Sequence, residues 1–206
     1  MRTRDRILDQ GLVLFNAEGL PRVSTNRIAA ELQISPGNLY YHFKSKEQIV
    51  ESLIRRFEHR TAPLIDPAVA VVALDDWWLT LHLGLEAIDA YRFLYRDMDF
   101  LLHEYPRCGA RLQRQIALNV RAATRQCRQL LSVGVLRASA GEITALARQV
   151  VFTASCWPTF SRLMHVGEED AEGAEHAAYY LLALMGPYVD GTSRQYLDYL
   201  RSKYVR

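Results

Sequence analysis

The stretch from Ser24 to Lys46, STNRIAAELQISPGNLYYHFKSK, leaves a chain like this few ways to fold. Ser24 is placed to cap a helix whose Ile28, Ala29 and Leu32 form one apolar stripe at helical spacing. Leu32-Gln33-Ile34 makes the turn. Ser35 caps a second helix with Pro36 at its first position, where a missing N–H costs nothing. That second helix, Pro36 to His42, has about two turns and gathers Asn38, Tyr40, Tyr41 and His42. Leu39 and Phe43 can turn inward, whereas Asn38, Tyr41 and His42 cannot all do so. Two short helices around a tight turn, the second displaying polar and aromatic groups at its N-terminal end, suit the major groove of DNA.

A set of positions in one register surrounds this stretch: Ile7, Leu8, Leu14-Phe15, Gly19, Thr25, Ile28-Ala29, Ile34-Ser35, the run Gly37-Asn38-Leu39-Tyr40-Tyr41-His42-Phe43, and Ser45-Lys46-Glu47. From Arg6 to about Leu53 the sequence thereby resembles the TetR family of bacterial transcriptional regulators. The resemblance implies phosphate contacts from Thr25, Tyr40 and Lys46. It also implies base-edge contacts from Pro36, Gly37, Asn38 and Tyr41, with Arg27 and His42 beside them. Physically, hydroxyl and ammonium groups at the rim of a groove donate to phosphate oxygens and fix register, and an amide such as Asn38 matches a base's donor–acceptor pair. One position departs from many relatives: the turn residue that is Gly there is Gln33 here. A positive φ at Gln33 would cost about 1 kcal/mol.

Charge supports this reading only weakly. The net charge is +2, divided as +3 over residues 1–62 and −1 over the rest, so geometry must carry what charge does not. Half of the 206 residues are hydrophobic, enough for a substantial core in one large unit or in a small head on a larger body. Asp9, Gln10 and Asn16 interrupt any N-terminal apolar run, which argues against a signal peptide. No stretch approaches the ~20 apolar residues of a membrane span. Cys108, Cys127 and Cys156 are odd in number and lack paired spacing, as expected of a reduced cytoplasmic protein.

Taken in order, the chain reads as helix throughout, and the expected class is all-α: an N-terminal three-helix helix-turn-helix head on a larger helical ligand-binding and dimerisation body. Thr3 to Glu18 is a first helix ended by Gly19. Ser45-Lys46-Glu47-Gln48 is a capping box that opens a helix to about Arg60. Pro63 and Pro67 then break the chain. The expected division is a DNA-binding head over 1–45, a linking helix over 46–60 and the body over 61–206. Leu74 to Tyr105 is apolar-periodic and long enough for two helices joined near Tyr91-Arg92, with Pro106 as its stop. Arg107 to Val133 follows, ended by Gly134. A second capping box, Ser139 to Glu142, opens a helix to about His165 in which Pro158 should make a kink. Glu169 to Met185 and an amphipathic Ser193 to Tyr204 complete the set.

The body is less diagnostic. Tyr91-Arg92-Phe93-Leu94-Tyr95-Arg96-Asp97 is similar to a signature of one branch of TetR regulators, which includes regulators of polyhydroxyalkanoate storage. That resemblance implies acyl-coenzyme A ligands, and the expected effector is a small amphiphile such as a fatty acid or acyl-coenzyme A. The expected site is a mostly apolar cavity between Leu74–Tyr105 and Arg107–Val133. Trp77, Trp78 and Phe100 would lie along the tail, His82 and His103 among the polar groups, and Arg96 or Arg121 and Arg125 at the anionic end. Arg107, Arg111, Arg114, Arg121, Arg125 and Arg128 form one basic stripe, which reads either as a solvated face or as a mouth for an anion. Small residues on two late helices, Ala145, Ala147, Ala154 and Ser155 with Ala171, Ala174, Ala177, Ala178 and Ala183, allow close helix approach. That approach can lie inside one subunit or across a homodimer axis. His82 with Glu86, and Glu172 with His176, have metal-like spacing but no third ligand, so no metal and no cofactor is expected. No catalytic set, phosphate loop or zinc motif supports an enzyme, and the expectation is a non-enzymatic regulator that binds double-stranded DNA and no membrane. A helical enzyme and an adaptor keeping the DNA-binding fold are the competing classes.

Overall fold

The computed structural model describes residues 3–164 and 174–204, and among them every regular element is helical. They form two compact units. The first is Met1–Arg60 with Ala90–Gln115; the second is Thr61–Asp89 with Ile116–Arg206.

The first unit holds α1 (Thr3–Glu18), α2 (Thr25–Glu31), α3 (Pro36–His42) and α4 (Lys46–Ile65) as far as Arg60. It also holds α6 (Phe93–Arg96), α7 (Met98–Glu104) and the start of α8 (Pro106–Ser132). Its core is apolar and closed: Ile7, Phe15, Ile28, Ile49, Leu53, Phe57, Phe93 and Tyr95 are all buried. Phe15 meets Phe93 at 5.3 Å between ring centroids, and Phe57 meets Tyr91 at 5.5 Å. Burying side chains of this size contributes about 1.5–3 kcal/mol each. The segment 90–97 is pinned to the end of α1 by polar groups as well. Asn16 donates from Nδ2 to the Ala90 carbonyl and accepts the Phe93 N–H at Oδ1. Arg96 donates to the carbonyls of Phe15 and Asn16, and Asp97 accepts the N–H of Leu20 at 2.8 Å. The Asn16 carbonyl is one that a helix C-terminus leaves without a partner of its own, while that of Phe15 also accepts the Gly19 N–H at 3.1 Å.

The second unit holds α5 (Leu74–Ala90) as far as Asp89, the remainder of α8, α9 (Ala140–Met164), α10 (Ala174–Met185) and α11 (Gly191–Ser202). The box at Ser139 closes reciprocally: Ser139 N–H donates to Glu142 Oε2 at 2.7 Å, and Glu142 N–H donates to Ser139 Oγ at 3.3 Å. The same bonds hold the Glu142 carboxyl below its ordinary value. Ala147, Ala154, Ser155, Ala177 and Ala178 are buried within the subunit, so these small residues serve close packing inside it. Ala145 stays exposed and Ala183 half-buried, while Ala171 lies outside the described residues.

Several boundaries differ from the sequence expectation for identifiable reasons. α4 runs through Pro63 to Ile65 rather than ending near Arg60. The carbonyl that Pro63 leaves without a donor belongs to exposed His59, which water can serve. Gln126 then donates to the Leu64 carbonyl, and Arg125 donates to those of Ile65 and Asp66. The stretch Leu74–Tyr105 is three helices, α5, α6 and α7, with the expected break at Tyr91-Arg92. Pro106 begins α8 instead of merely stopping what precedes it. The expected helix from Glu169 is described from Ala174 onward.

Candidate nucleic-acid interface

Both helices of the turn are capped as their sequences demand. Ser24 Oγ accepts the N–H of Arg27, and Ser35 Oγ accepts the N–H of Asn38, each at 3.1 Å. Between them, Ile34 N–H donates to the Ala29 carbonyl and Gln33 N–H to that of Ala30, the two crossed bonds of a Schellman turn. Gln33 occupies its left-handed position at φ 56°. The turn that a glycine would relax is therefore made by a glutamine under strain.

α3 is divided sharply between core and solvent. Leu39 and Phe43 are 2% and 1% exposed, while Tyr40 and Tyr41 are 58% and 76% exposed. Pro36, Gly37 and Asn38 are exposed with them. A shallow groove of about 320 Å³ between the starts of α2 and α3 is lined by Thr25, Asn26, Pro36, Gly37, Leu39 and Tyr40. Backbone N–H groups left over at two helix starts and the hydroxyls of Thr25 and Tyr40 are donors suited to phosphate oxygens. His42 is half-buried, its ring edge-on to Tyr41 at 5.2 Å, and its carbonyl accepts from Arg4. Arg4 also lies over the Phe43 ring at 4.3 Å.

Three cations near this surface differ in what they have to offer. Lys46 Nζ donates to the carbonyls of Leu20 at 2.9 Å and Val23 at 3.0 Å, and burial lowers its pKa below the ordinary lysine value. It clasps the loop before α2 and sits 5.6 Å from the centre of the Phe100 ring. Arg27 is held by Glu31 at 2.5 Å and Glu18 at 3.1 Å. Lys44 is exposed, with Nζ 4.8 Å from the centre of the Tyr40 ring. Sequence reasoning passed over Lys44 and Asn26; adjacency to Tyr40 and Thr25 was the only signal for either. The capping box at Ser45 also differs in detail, since Gln48 Oε1 accepts the N–H of Lys44 rather than that of Ser45.

The residues expected around an effector are divided between the two units. Trp77 is buried core, and Trp78 meets His82 tilted at 5.6 Å and Tyr204 edge-on at 5.4 Å between ring centroids in the second unit. His82 faces Glu86 at 3.5 Å, and no three His, Cys, Asp or Glu side chains gather among the described residues. Glu172, the other half of the second metal-like pair, lies outside them. Arg96, Phe100 and His103 belong to the first unit. Arg96 is occupied with the Phe15 and Asn16 carbonyls at the end of α1 and with Asp97. Phe100 packs edge-on to Tyr105, and exposed His103 pairs with Asp99. Arg121 and Arg125 line one groove of the second unit.

An all-helical chain with a capped helix-turn-helix and a separate helical unit defines a class of one-component DNA-binding regulators. Two family models match, bacterial regulatory proteins of the tetR family over residues 7–53 and the bacterial transcriptional repressor TetR over residues 56–197. The chain belongs to the TetR family. It is similar over 100% of both chains to a TetR-family transcriptional regulator from Marinobacter aquaeolei VT8, at 30% identity and a TM-score of 0.89. It is 43% identical over 54 residues to the transcriptional repressor KstR2 of Mycolicibacterium smegmatis. That match spans 26% of this chain and only 26% of the curated relative's length. The ketosteroid transcriptional regulator KstR2 of Mycobacterium tuberculosis shares the fold, with a TM-score of 0.64 at 22% identity over 92% of this chain and 96% of that one. No described helix is long and apolar enough to cross a membrane.

Proposed function

We propose that this chain is a transcriptional repressor that binds palindromic operator DNA as a homodimer and releases it on binding a small amphiphilic molecule. The observation that carries the reading is α3: two turns, capped at Ser35, seated by Leu39 and Phe43, with Asn38, Tyr40 and Tyr41 turned to solvent. Nothing in the core needs that exposed face, and its chemistry is that of base edges and phosphates.

Homodimer formation is supported by an apolar surface that the single chain leaves open. Phe152 is 68% and Leu163 70% exposed on α9, joined by Phe160 and Met164 there and by Tyr180 on α10. Large apolar patches of this kind mark interaction surfaces, and a two-fold axis lets one patch cover itself. For the effector, a fatty acid or acyl-coenzyme A ester is the first class to try, and the relative named for ketosteroids makes an apolar ligand a natural one for this fold. The test is a gel shift against the DNA flanking the gene, with Asn38→Ala and Tyr41→Ala. Both variants should keep the wild-type melting temperature; Asn38→Ala should change sequence preference and Tyr41→Ala weaken binding at least tenfold. Full binding by both variants would remove α3 from the interface. Adding acyl esters to the wild-type complex then reads the effector separately.

A further inference from the structure

A groove of about 540 Å³ lies within the second unit between the later turns of α8 and the first turns of α9. Its charged lining is Arg121, Arg125 and Arg128 from α8 and Arg148 from α9, with no carboxylate among the lining residues. Arg121, Arg128 and Arg148 are exposed and make no ion pair among the described residues. Arg125 is fixed: Nη2 donates to the Ile65 carbonyl at 3.0 Å and the Asp66 carbonyl at 3.2 Å. Its Nε is shut off from solvent without an acceptor. Thr124 and Thr144 spend their hydroxyl hydrogens on the carbonyls of Val120 and Ala140, so guanidinium N–H groups are the main donors that the groove offers a guest.

This arrangement is unfavourable while the groove is empty of anions. Arg121, Arg125 and Arg128 stand at i, i+4 and i, i+7 on one helix, where like charges repel, and Arg148 adds a fourth from across the groove. The basic stripe continues toward the start of α8 through exposed Arg107 and Arg114, with Arg111 paired to Glu58; in the groove three arginines of the stripe are joined by a fourth from α9.

We propose that the groove is a binding site for an oligophosphate, two or three linked phosphate groups, either free or carried by a nucleotide. Arg121 and Arg128 are seven residues apart, about 10 Å along the helix axis, so an extended polyanion can engage both without drawing the two like charges together. Guanidinium forks match phosphate oxygens two at a time, and several linked phosphates engage several forks. The volume falls within the range of small-molecule sites, with room for an organic group beyond the phosphates. Regulation through this site rests on the effector reading above; the binding itself does not.

The experiment is calorimetric titration of the full chain with sodium tripolyphosphate, ATP and orthophosphate, using sodium sulfate at equal ionic strength as the control. Tripolyphosphate should bind saturably and at least tenfold more tightly than orthophosphate. The double variant Arg128→Gln/Arg148→Gln changes two exposed side chains and should keep the wild-type melt while losing at least tenfold in affinity. Arg107→Gln, on the same helix outside the groove, should lose less than twofold. ATP binding at least as tightly as tripolyphosphate points to a nucleotide, and weaker ATP binding points to a free oligophosphate. Absence of saturable binding above the sulfate control overturns the site, as does an equal loss in Arg107→Gln. Loss of operator binding by the double variant would assign the groove to DNA instead and overturn it too. The Asn38 and Tyr41 gel shifts are independent of every one of these outcomes.

Discussion

The side-chain amide of Asn16 holds the backbone of Phe93, with Oδ1 accepting the Phe93 N–H at 3.1 Å while Nδ2 donates to the Ala90 carbonyl at 2.9 Å. With Arg96 on the carbonyls of Phe15 and Asn16, it makes the heptapeptide Tyr91–Asp97 a fitting for the end of α1. A segment far along the chain thereby becomes part of the unit that carries the recognition helix.

Arg96→Ala should therefore act on that unit. It leaves the Asn16 carbonyl without its donor, the Phe15 carbonyl with only the Gly19 N–H, and the nearly buried Asp97 carboxylate without its 3.3 Å partner. The expected loss is about 2–4 kcal/mol, read from urea unfolding followed by circular dichroism. Arg96→Lys should recover only part of it, because an ammonium lacks the fork that reaches both carbonyls. A loss below 0.5 kcal/mol for the alanine variant, about the scale of a surface change, would show that the fitting carries no stability.

Gln33→Gly should stabilise the protein by up to about 1 kcal/mol, because glycine adopts the φ of 56° without the Cβ clash. The unfolded chain's greater freedom with glycine trims that gain. A rise of about 1–4 °C in melting temperature is the expected reading for a chain of this size. Gln33→Val should move the other way by at least as much, since a β-branched residue tolerates this conformation worst.

Lys44 and Lys46 should separate in a salt titration of operator binding. Lys44 is exposed beside Tyr40, so Lys44→Ala should reduce the slope of log affinity against log salt by about one. Lys46 already serves two carbonyls of the loop before α2. Lys46→Met should lower stability by about 1–3 kcal/mol and leave the slope nearly unchanged. The reverse pattern would assign the phosphate contact to Lys46.

Stability should fall on the alkaline side. Burial pushes the thiols of Cys108 and Cys127 up from 9.0 to about 11. Between those values the unfolded chain sheds its thiol protons while the native state keeps them. The stabilisation is complete below pH 9 and lost as pH rises through about 11, about 3 kcal/mol for each thiol. Lys46, with its lowered pKa, works in the opposite direction on a smaller scale. Urea midpoints at pH 8.0, 9.5 and 10.5 should fall in sequence, and Cys127→Ala should flatten the fall. A flat profile in the wild type would show that the buried thiols do not govern it.

The sequence by itself determined the helix-turn-helix and both serine caps; it allowed Leu39 and Phe43 to turn inward and left a positive φ at Gln33 as a condition, which the structure meets. It also determined the Ser139–Glu142 box and the break at Tyr91-Arg92. The caps and the box rest on bonds between residues three positions apart, so a local pattern specifies them. Tertiary structure alone decided that 90–115 joins 1–60, that Arg96 caps α1, that Ala154 and Ala178 face inward, and that Lys46 is turned onto the loop. In these cases one amphipathic face or one long side chain had several acceptable partners along the chain. Packing chose among them by which buried carbonyls and cavities had to be filled, and no spacing in the sequence records that competition.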